Sequence, residues 1–458
     1  MIRNPLLVPD LRELIQAGEA AALREFFAES HPARVAEMIQ DLDLAEGNAI
    51  LEVLDPRVRA EVVSYLDFDR QIELVEKTAP ADAAALLHLM SHDDRANLVK
   101  HLDEDHADEI LRRLAHAERE DIRRLASYEP GTAGAVMTTD YATLSPHLTV
   151  REALDQLRQE APDRETIDYS YVVDINRKLI GLVPLKKLIL ARPTARIEDI
   201  MRREIITARV DEDQESVVRK IAKFDLVAIP VVDPSDMLVG IVTHDDAFDI
   251  LRREQTEDIL AFGGVSSDPE ADDEPYWQGR VTSSVRRRIK WLLMLFLAEN
   301  FTYPALRHFK WVEHDWPMLT LFLPLLLGTG GNAGSQTVGT IIRGLALGEI
   351  TRRHFFRVLA REWFVGFMLG AILGVVAFCY AWLYRGQSPA VSAVIGLTIL
   401  GICMWANLIG ALVPMIAHRL GWDPAVVSAP AISTLVDATG IVLYYSIAIL
   451  LLMKFHMQ

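Results

Sequence analysis

Three regimes of hydrophobic patterning divide the chain. From about Leu11 to Tyr128, apolar residues recur at three- and four-residue steps, as in L-R-E-L-I-Q, R-A-E-V-V-S-Y-L and A-D-E-I-L-R-R-L, which predicts amphipathic helices. Acidic or proline-containing breaks such as L-D-P-R and L-D-E-D supply caps and stops every two to four turns. Helices this short cannot bury a face alone, so they are expected to stack into a small superhelix. From 134 to 254 the pattern changes to strand, turn, strand and helix, repeated with a period near sixty. Beyond about Lys290 come five apolar runs, at about 290–309, 316–342, 363–384, 391–417 and 428–453. Each is long enough to span the hydrocarbon of a bilayer.

Composition sharpens this division. Half the chain is hydrophobic, yet its net charge is −17. From Val281 onward there are 14 Lys and Arg against 7 Asp and Glu, so residues 1–280 hold 33 basic and 57 acidic side chains, a balance of −24. Nucleic acid is excluded as a partner of so acidic a half, whereas divalent cations suit it. Cys379 and Cys403, the two cysteines, both lie in apolar runs, which excludes a disulfide framework and a cysteine-rich metal site. The opening M-I-R-N-P-L-L-V-P-D has no signal-peptide pattern, so the acidic half is expected in the cytosol. Basic residues before the first run, between the second and third, and at His418 and Arg419 place those loops inside and the C-terminus outside an inner (plasma) membrane. No G-x-x-x-x-G-K-[ST] motif is present, and nothing in the pattern points to an enzyme.

Two groups of residues carry candidate chemistry. Asp437 is the only acid or base in the last apolar run before Lys454, and Pro430, Ser433, Thr434, Thr439 and Gly440 surround it. A carboxylate deep in a bilayer marks an ion path or a helix-pairing contact. The second run holds Gly328, Gly330, Gly331, Gly334, Asn332 and Gln336, where small residues permit close backbone approach and the amides offer oxygens. In the acidic half, Asp93 and Asp94 follow His92, and Asp245, Asp246, Asp249, Glu254, Glu257 and Asp258 recur along one predicted helix. These carboxylates form either a regulatory cation-binding face or solvated surface. The polar stretch from Gly263 to Pro275 reads as a linker, and the basic segment Tyr276–Lys290 as a helix leading to the membrane, where it meets the acidic face or anionic lipid.

Residues Y-V-V-D-I-N-R-K-L-I-G-L-V from Tyr171 and P-V-V-D-P-S-D-M-L-V-G-I-V from Pro230 echo one another, and the repeat resembles a tandem pair of CBS domains. Such pairs are regulatory and often bind nucleotides. With G-T-G-G-N-A-G-S-Q, Asp423-Pro424-Ala425 and Thr434 to Gly440 added, the whole chain resembles the MgtE family of magnesium channels. That resemblance implies a homodimer with a pore on the subunit interface, lined by the second and fifth spans, with Asp437 as the pore acid. Ala429 stands where some members have asparagine, and Lys310 where an acid is common; Glu299 and Asn300 are helix-pairing or pore-adjacent.

The expected fold class is therefore multidomain: an all-α superhelical N domain (1–130), an α/β tandem CBS pair (131–258), a linker and connecting plug helix (259–289), and a polytopic α-helical membrane domain of five spans (290–458). The expected function is passive Mg2+ uptake, closed by internal Mg2+ on the acidic domains. Two alternatives stand beside it, a secondary carrier of divalent cations and a membrane-anchored CBS sensor without transport.

Overall fold

A computed structural model describes residues 8–40, 42–161, 164–267, 277, 279–422 and 427–456. The chain forms two compact units, Met1–Glu254 and Gln255–Gln458.

The first unit opens with short helices, from Val8–Ala17 to His116–Ala126. Their punctuation follows from local chemistry. Asp43 and Glu46 form a reciprocal capping box, with Glu46 N donating to Asp43 Oδ1 at 2.8 Å. Prolines open Pro32–Ile39, Pro56–Ser64 and Pro80–Leu89, where a missing N–H costs nothing. Helices pack on the helix two along in two rows: Pro32–Ile39, Pro56–Ser64, Pro80–Leu89 and Glu104–Leu111 in one, and Phe68–Lys77, His92–His101 and His116–Ala126 in the other. That arrangement is a small superhelix, with Ile39, Ile50, Leu51, Leu74, Leu87, Leu98 and Ile110 as its core.

The repeat folds as two matching three-stranded sheets. In the first, β1 (Tyr141–Leu144) runs parallel to β2 (Thr166–Val173), which is antiparallel to β3 (Leu179–Pro184). In the second, β4 (Ala208–Arg209), β5 (Ala228–Val232) and β6 (Leu238–Thr243) repeat that order. The two hairpin turns are built alike. Asp174 Oδ1 accepts from the amides of Asn176 and Lys178, and Asp233 Oδ1 from those of Ser235 and Met237, all at 2.8–2.9 Å. Lys178 and Met237, the residues before β3 and β6, pair with one another across the two repeats. Gly181 leaves a notch filled by Met201, the first residue of the second repeat, and Gly240 one filled by Met137, the first residue of the first. A Cβ at either glycine would lie within 2.5 Å of a methionine sulfur.

In the second unit the expectation of five spans is met in part. Among the described residues, three helices are long and apolar enough to cross a membrane: Arg352–Tyr384, Pro389–Leu420 and Ala429–Leu452. The run expected at 290–309 is not one helix. Helix Val281–Glu299 ends there, and the chain resumes as Thr302–His308 and Lys310–Asp315. Asn300 Nδ2 donates to the carbonyl of Phe296 and Thr302 Oγ1 to that of Glu299, while Pro304 has no amide to continue the ladder. The same helix begins at Val281, so the boundary placed at 289/290 falls inside it; likewise His244–Phe262 runs through the boundary placed at 258. The second run opens as a 3-10 turn, Pro317–Phe322, before the helix Leu323–Ala346. Asp423, Pro424 and Ala425, and most of the expected linker, lie outside the described residues.

Glycines set the spacing of this unit. Gly366, Gly370 and Gly374 of helix Phe355–Cys379 meet Met404, Leu400 and Gly396 of helix Pro389–Leu420, with a Cβ at Gly374 only 2.6 Å from the Gly396 carbonyl. Close backbone contact of this kind is how helices associate where no hydrophobic drive separates them from lipid. Leu326, Ile399, Ile402, Ile441 and Tyr444 fill the space between the remaining faces.

Candidate functional site

Helix Leu323–Ala346 packs antiparallel to Ala429–His456 through the glycines singled out in the sequence. A Cβ on Gly330 would lie 2.5 Å from Ile402 and 2.9 Å from Val436, and one on Gly331 would lie 2.3 Å from Ser433 Oγ. Gly334 meets Ile432, and Gly440 faces Leu327 from the other side. This seam brings Asp437 beside the glycine-rich stretch, with its Oδ1 buried and, among the described residues, without a hydrogen-bond partner. Helix Val281–Glu299 also packs on Ala429–His456, and the Glu299 charge acts on Asp437.

The other predicted positions divide by face. Gly328, Asn332 and Gln336, at four-residue steps, lie exposed on the face of Leu323–Ala346 away from the seam, and a Cβ at Gly328 would meet nothing. Thr434 Oγ1 donates to its own helix at the Pro430 carbonyl, 3.1 Å away, whereas Ser433 sits in the seam. Ala429 contributes its carbonyl, which accepts from Ser335 Oγ at 3.4 Å. Lys310 begins a short helix that also holds Glu313, whose Oε1 accepts from Tyr445 OH at 2.5 Å.

The second candidate site lies within the first unit. A cleft of about 940 Å³ is lined by Asp93 and Asp94 from the helical domain and by Asp140, Glu165, Asp245, Asp246 and Asp249 from the repeat. Like charges gathered out of bulk water hold their protons more tightly. Burial pushes Asp93 well up, and Asp246 and Asp94 add to it. Burial also raises Asp94, despite hydrogen bonds from Ser64 and Ser91. Asp246 is pushed up to about 6 by burial, with Asp245, Asp94 and Asp249 adding to it and a hydrogen bond from Thr243 opposing. Glu165 rises to about 7, by burial first and then by Asp246, Asp245 and Asp140.

Five of the predicted regulatory acids thus meet in one place. Three do not. Glu254 accepts from Gln214 Nε2 at 2.6 Å, and Glu257 and Asp258, farther along that helix, are not among the residues lining the cleft. The His92-Asp93-Asp94 triplet is also split. His92 Nδ1 lies 2.8 Å from Asp121 and its Nε2 lies 3.0 Å from Asp140, while the two aspartates face the cleft. Ser91 is the N-cap and Asp93 and Asp94 the first turn of their helix, so the capping geometry and the cleft use the same segment. Asp140 and Glu165 were missed because they lie just before strands and carry no helical spacing. Among the described residues no three carboxylate, imidazole or thiol groups converge to ligate a bare ion.

Comparison with known proteins fits this division of the chain. Residues 323–447 match the family profile described as a divalent cation transporter (MgtE), 30–131 match the MgtE intracellular N domain, and 133–193 and 197–253 each match a CBS domain. The magnesium transporter MgtE of Thermus thermophilus is 37% identical over 449 residues, covering 97% of this chain and 98% of the relative. The chain belongs to the MgtE magnesium transporter family. The MgtE of Bacillus subtilis is 31% identical over 327 residues, 71% of each chain. Among solved structures, the cytosolic domain of the Mg2+ channel MgtE in complex with ATP is similar at a TM-score of 0.51 and 36% identity, over 53% of this chain and 99% of that one. The soluble part of a magnesium transporter gives the same TM-score at 32% identity, over 54% and 97%. MgtE is a family of transporters with soluble N and CBS domains, and it is not a family of enzymes.

Proposed function

We propose that this MgtE chain is a homodimeric, magnesium-selective channel for passive uptake across the inner membrane, with its acidic domains in the cytosol and its C-terminus outside. In this reading the membrane unit crosses five times, with the broken segment from Val281 and the helix Leu323–Ala346 added to the three long apolar helices. One observation carries it: the glycine seam sets a carboxylate with an unpartnered oxygen inside an apolar helix, next to a helix that exposes Asn332 and Gln336. A polar stripe on a spanning helix is costly toward lipid and inexpensive toward water or a second copy. Two such faces across a two-fold axis would line a wet path with paired Asp437 carboxylates.

Magnesium surrenders its waters reluctantly, so one or two carboxylates and retained waters suffice to select it. Asp437 supplies the charge, and in this reading the exposed Gly328 and Asn332 offer oxygens to the ion's water shell, while Ser433 and Ala429 act from the seam. Glu299 acts on the same charge and takes the pore-adjacent role. An inside-negative potential of 100 mV contributes about 4.6 kcal/mol to a divalent ion, so entry needs no coupled fuel.

Magnesium in the cleft closes the pore. Asp93 and Asp94 repel Asp245, Asp246 and Asp249 when no cation is present; hydrated Mg2+ between them, with Glu165 and Asp140, replaces repulsion by attraction. The roomy cleft, with no tight ligand cage among the described residues, favours an ion bound through its waters. Nucleotide at the CBS pair is a further regulatory input, supported by the ATP complex of the similar cytosolic domain.

The test is flux from purified protein in liposomes. Mg2+ entry that follows an imposed potential and falls as luminal Mg2+ rises is the expected result. Dependence on a proton or sodium gradient would favour a carrier instead, and absence of any cation flux a sensor without transport.

A further inference from the structure

Arginines of the first unit are commonly paired: Arg12 with Glu46, Arg70 with Glu73, Arg113 with Glu109 and Arg158 with Asp155. The membrane unit holds a contrasting group. Arg353, in the turn Arg352–His354, and Arg357 and Arg361, in the first turns of helix Phe355–Cys379, follow at four-residue steps, all exposed; none forms an ion pair within 4 Å among the described residues, though the Arg361 charge acts on its buried neighbour Glu362. Their line continues along the helix as Phe364, Met368, Ile372 and Val375, which are 59%, 48%, 59% and 65% exposed. One helix face therefore passes from three guanidinium groups into a strip of bare hydrocarbon.

Two neighbours strengthen the polar end. The Arg419 guanidinium lies 4.2 Å from the centre of the Phe355 ring, which holds a fourth positive charge beside this helix start. Phe356 and Trp363 are exposed on the adjoining face, where amphipathic rings sit at the level of lipid headgroups. A guanidinium presents a planar fork that matches phosphate oxygens, and an acyl chain needs the strip below it.

We propose that this face is a binding site for an anionic phospholipid, its phosphate held by Arg353, Arg357 and Arg361 and its chains along Phe364, Met368 and Ile372. Charge decides the occupant, because a cluster of unpaired arginines is matched by an anionic headgroup and not by a zwitterionic one. Continuity with the exposed apolar strip decides against a soluble partner. The inference goes beyond the transport reading and does not depend on it.

Native mass spectrometry of the purified full chain, given equal amounts of phosphatidylglycerol and phosphatidylcholine with the same acyl chains, tests it without any measurement of ion flux. The unsubstituted chain should retain phosphatidylglycerol preferentially, and raised salt should weaken that preference. Each near-surface basic residue contributes about a factor of five, so the triple variant R353Q/R357Q/R361Q should lose roughly a hundredfold in phosphatidylglycerol affinity with phosphatidylcholine unchanged. The corresponding triple lysine variant should keep most of the preference, and Arg307→Gln, on another segment, should keep all of it. Equal retention of the two lipids by the unsubstituted chain, a salt-insensitive preference, or an unchanged glutamine variant would each overturn the proposal. So would a lysine variant that loses as much as the glutamine one, since charge would then not be what holds the lipid.

Discussion

At the residue scale, Asp437 and the glycines beside it make opposite demands on substitution. Among the described residues Asp437 has a buried oxygen without a hydrogen-bond partner, and the proposed ion path gives that carboxylate its role. Asp437→Ala should lower Mg2+ flux in liposomes by at least tenfold while the purified protein keeps its elution volume. Asp437→Asn keeps an oxygen and loses the charge, so it should weaken divalent over monovalent discrimination with a smaller effect on folding. Near-normal flux in both would remove Asp437 from the ion path. Gly330→Leu and Gly331→Leu act through packing instead, because their Cβ positions are already occupied by Ile402, Val436 and Ser433. Overpacking costs about 1–3 kcal/mol or more, so both should lower the melting temperature as well as flux. Gly328→Ala, where nothing lies within reach, should change the melting temperature little.

At the scale of elements, the cleft makes two predictions. Neutralising Asp245, Asp246 and Asp249 together should leave flux that no longer falls at high luminal Mg2+. If that variant closes at the parent's Mg2+ concentration, the acidic face is solvated surface. The second concerns pH. Carboxyl groups raised to about 6 and 7, as at Asp246 and Glu165, bind protons more tightly in the packed cleft than in an opened chain. Their contribution is therefore most favourable at low pH and is lost as pH rises through about 6 to 7. Asp121, held down to about 2 by His92, Thr139 and Arg124 against the opposing effect of burial, stays ionised throughout that window and adds no slope. In chelator, protease resistance of the soluble unit should fall between pH 5.5 and 8, and millimolar Mg2+ should flatten the change. A rise in resistance with pH would contradict the assignment.

The same scale explains what the sequence made legible. The repeat was readable because V-V-D, the turn and L-x-G-x-V are each short-range signals, and Asp174 and Asp233 form the turns their position suggested. Asp93 and Asp246 were readable as acids but not as neighbours of Glu165, since only tertiary folding brings the strand end at 165 to the helix start at 245. The break after Glu299 was hidden because the flanking stretches are apolar, while Asn300, Thr302 and Pro304 redirect the backbone between them.

At the scale of the whole molecule, the exchanged methionines fix the order in which the chain can be completed. Gly181 must wait for Met201, which leaves the ribosome shortly after it. Met137 must wait for Gly240, about a hundred residues later, so the first repeat cannot close its own lead segment until the second is nearly made. A nascent chain stopped between the repeats would expose an unfilled notch and an unplaced methionine, a natural handle for chaperones or proteases. Halves of the pair expressed apart should therefore be poorly soluble, while co-expressed halves should recover one another. Each copy thus takes one packing residue from the other, so neither repeat holds all the parts of its own fold.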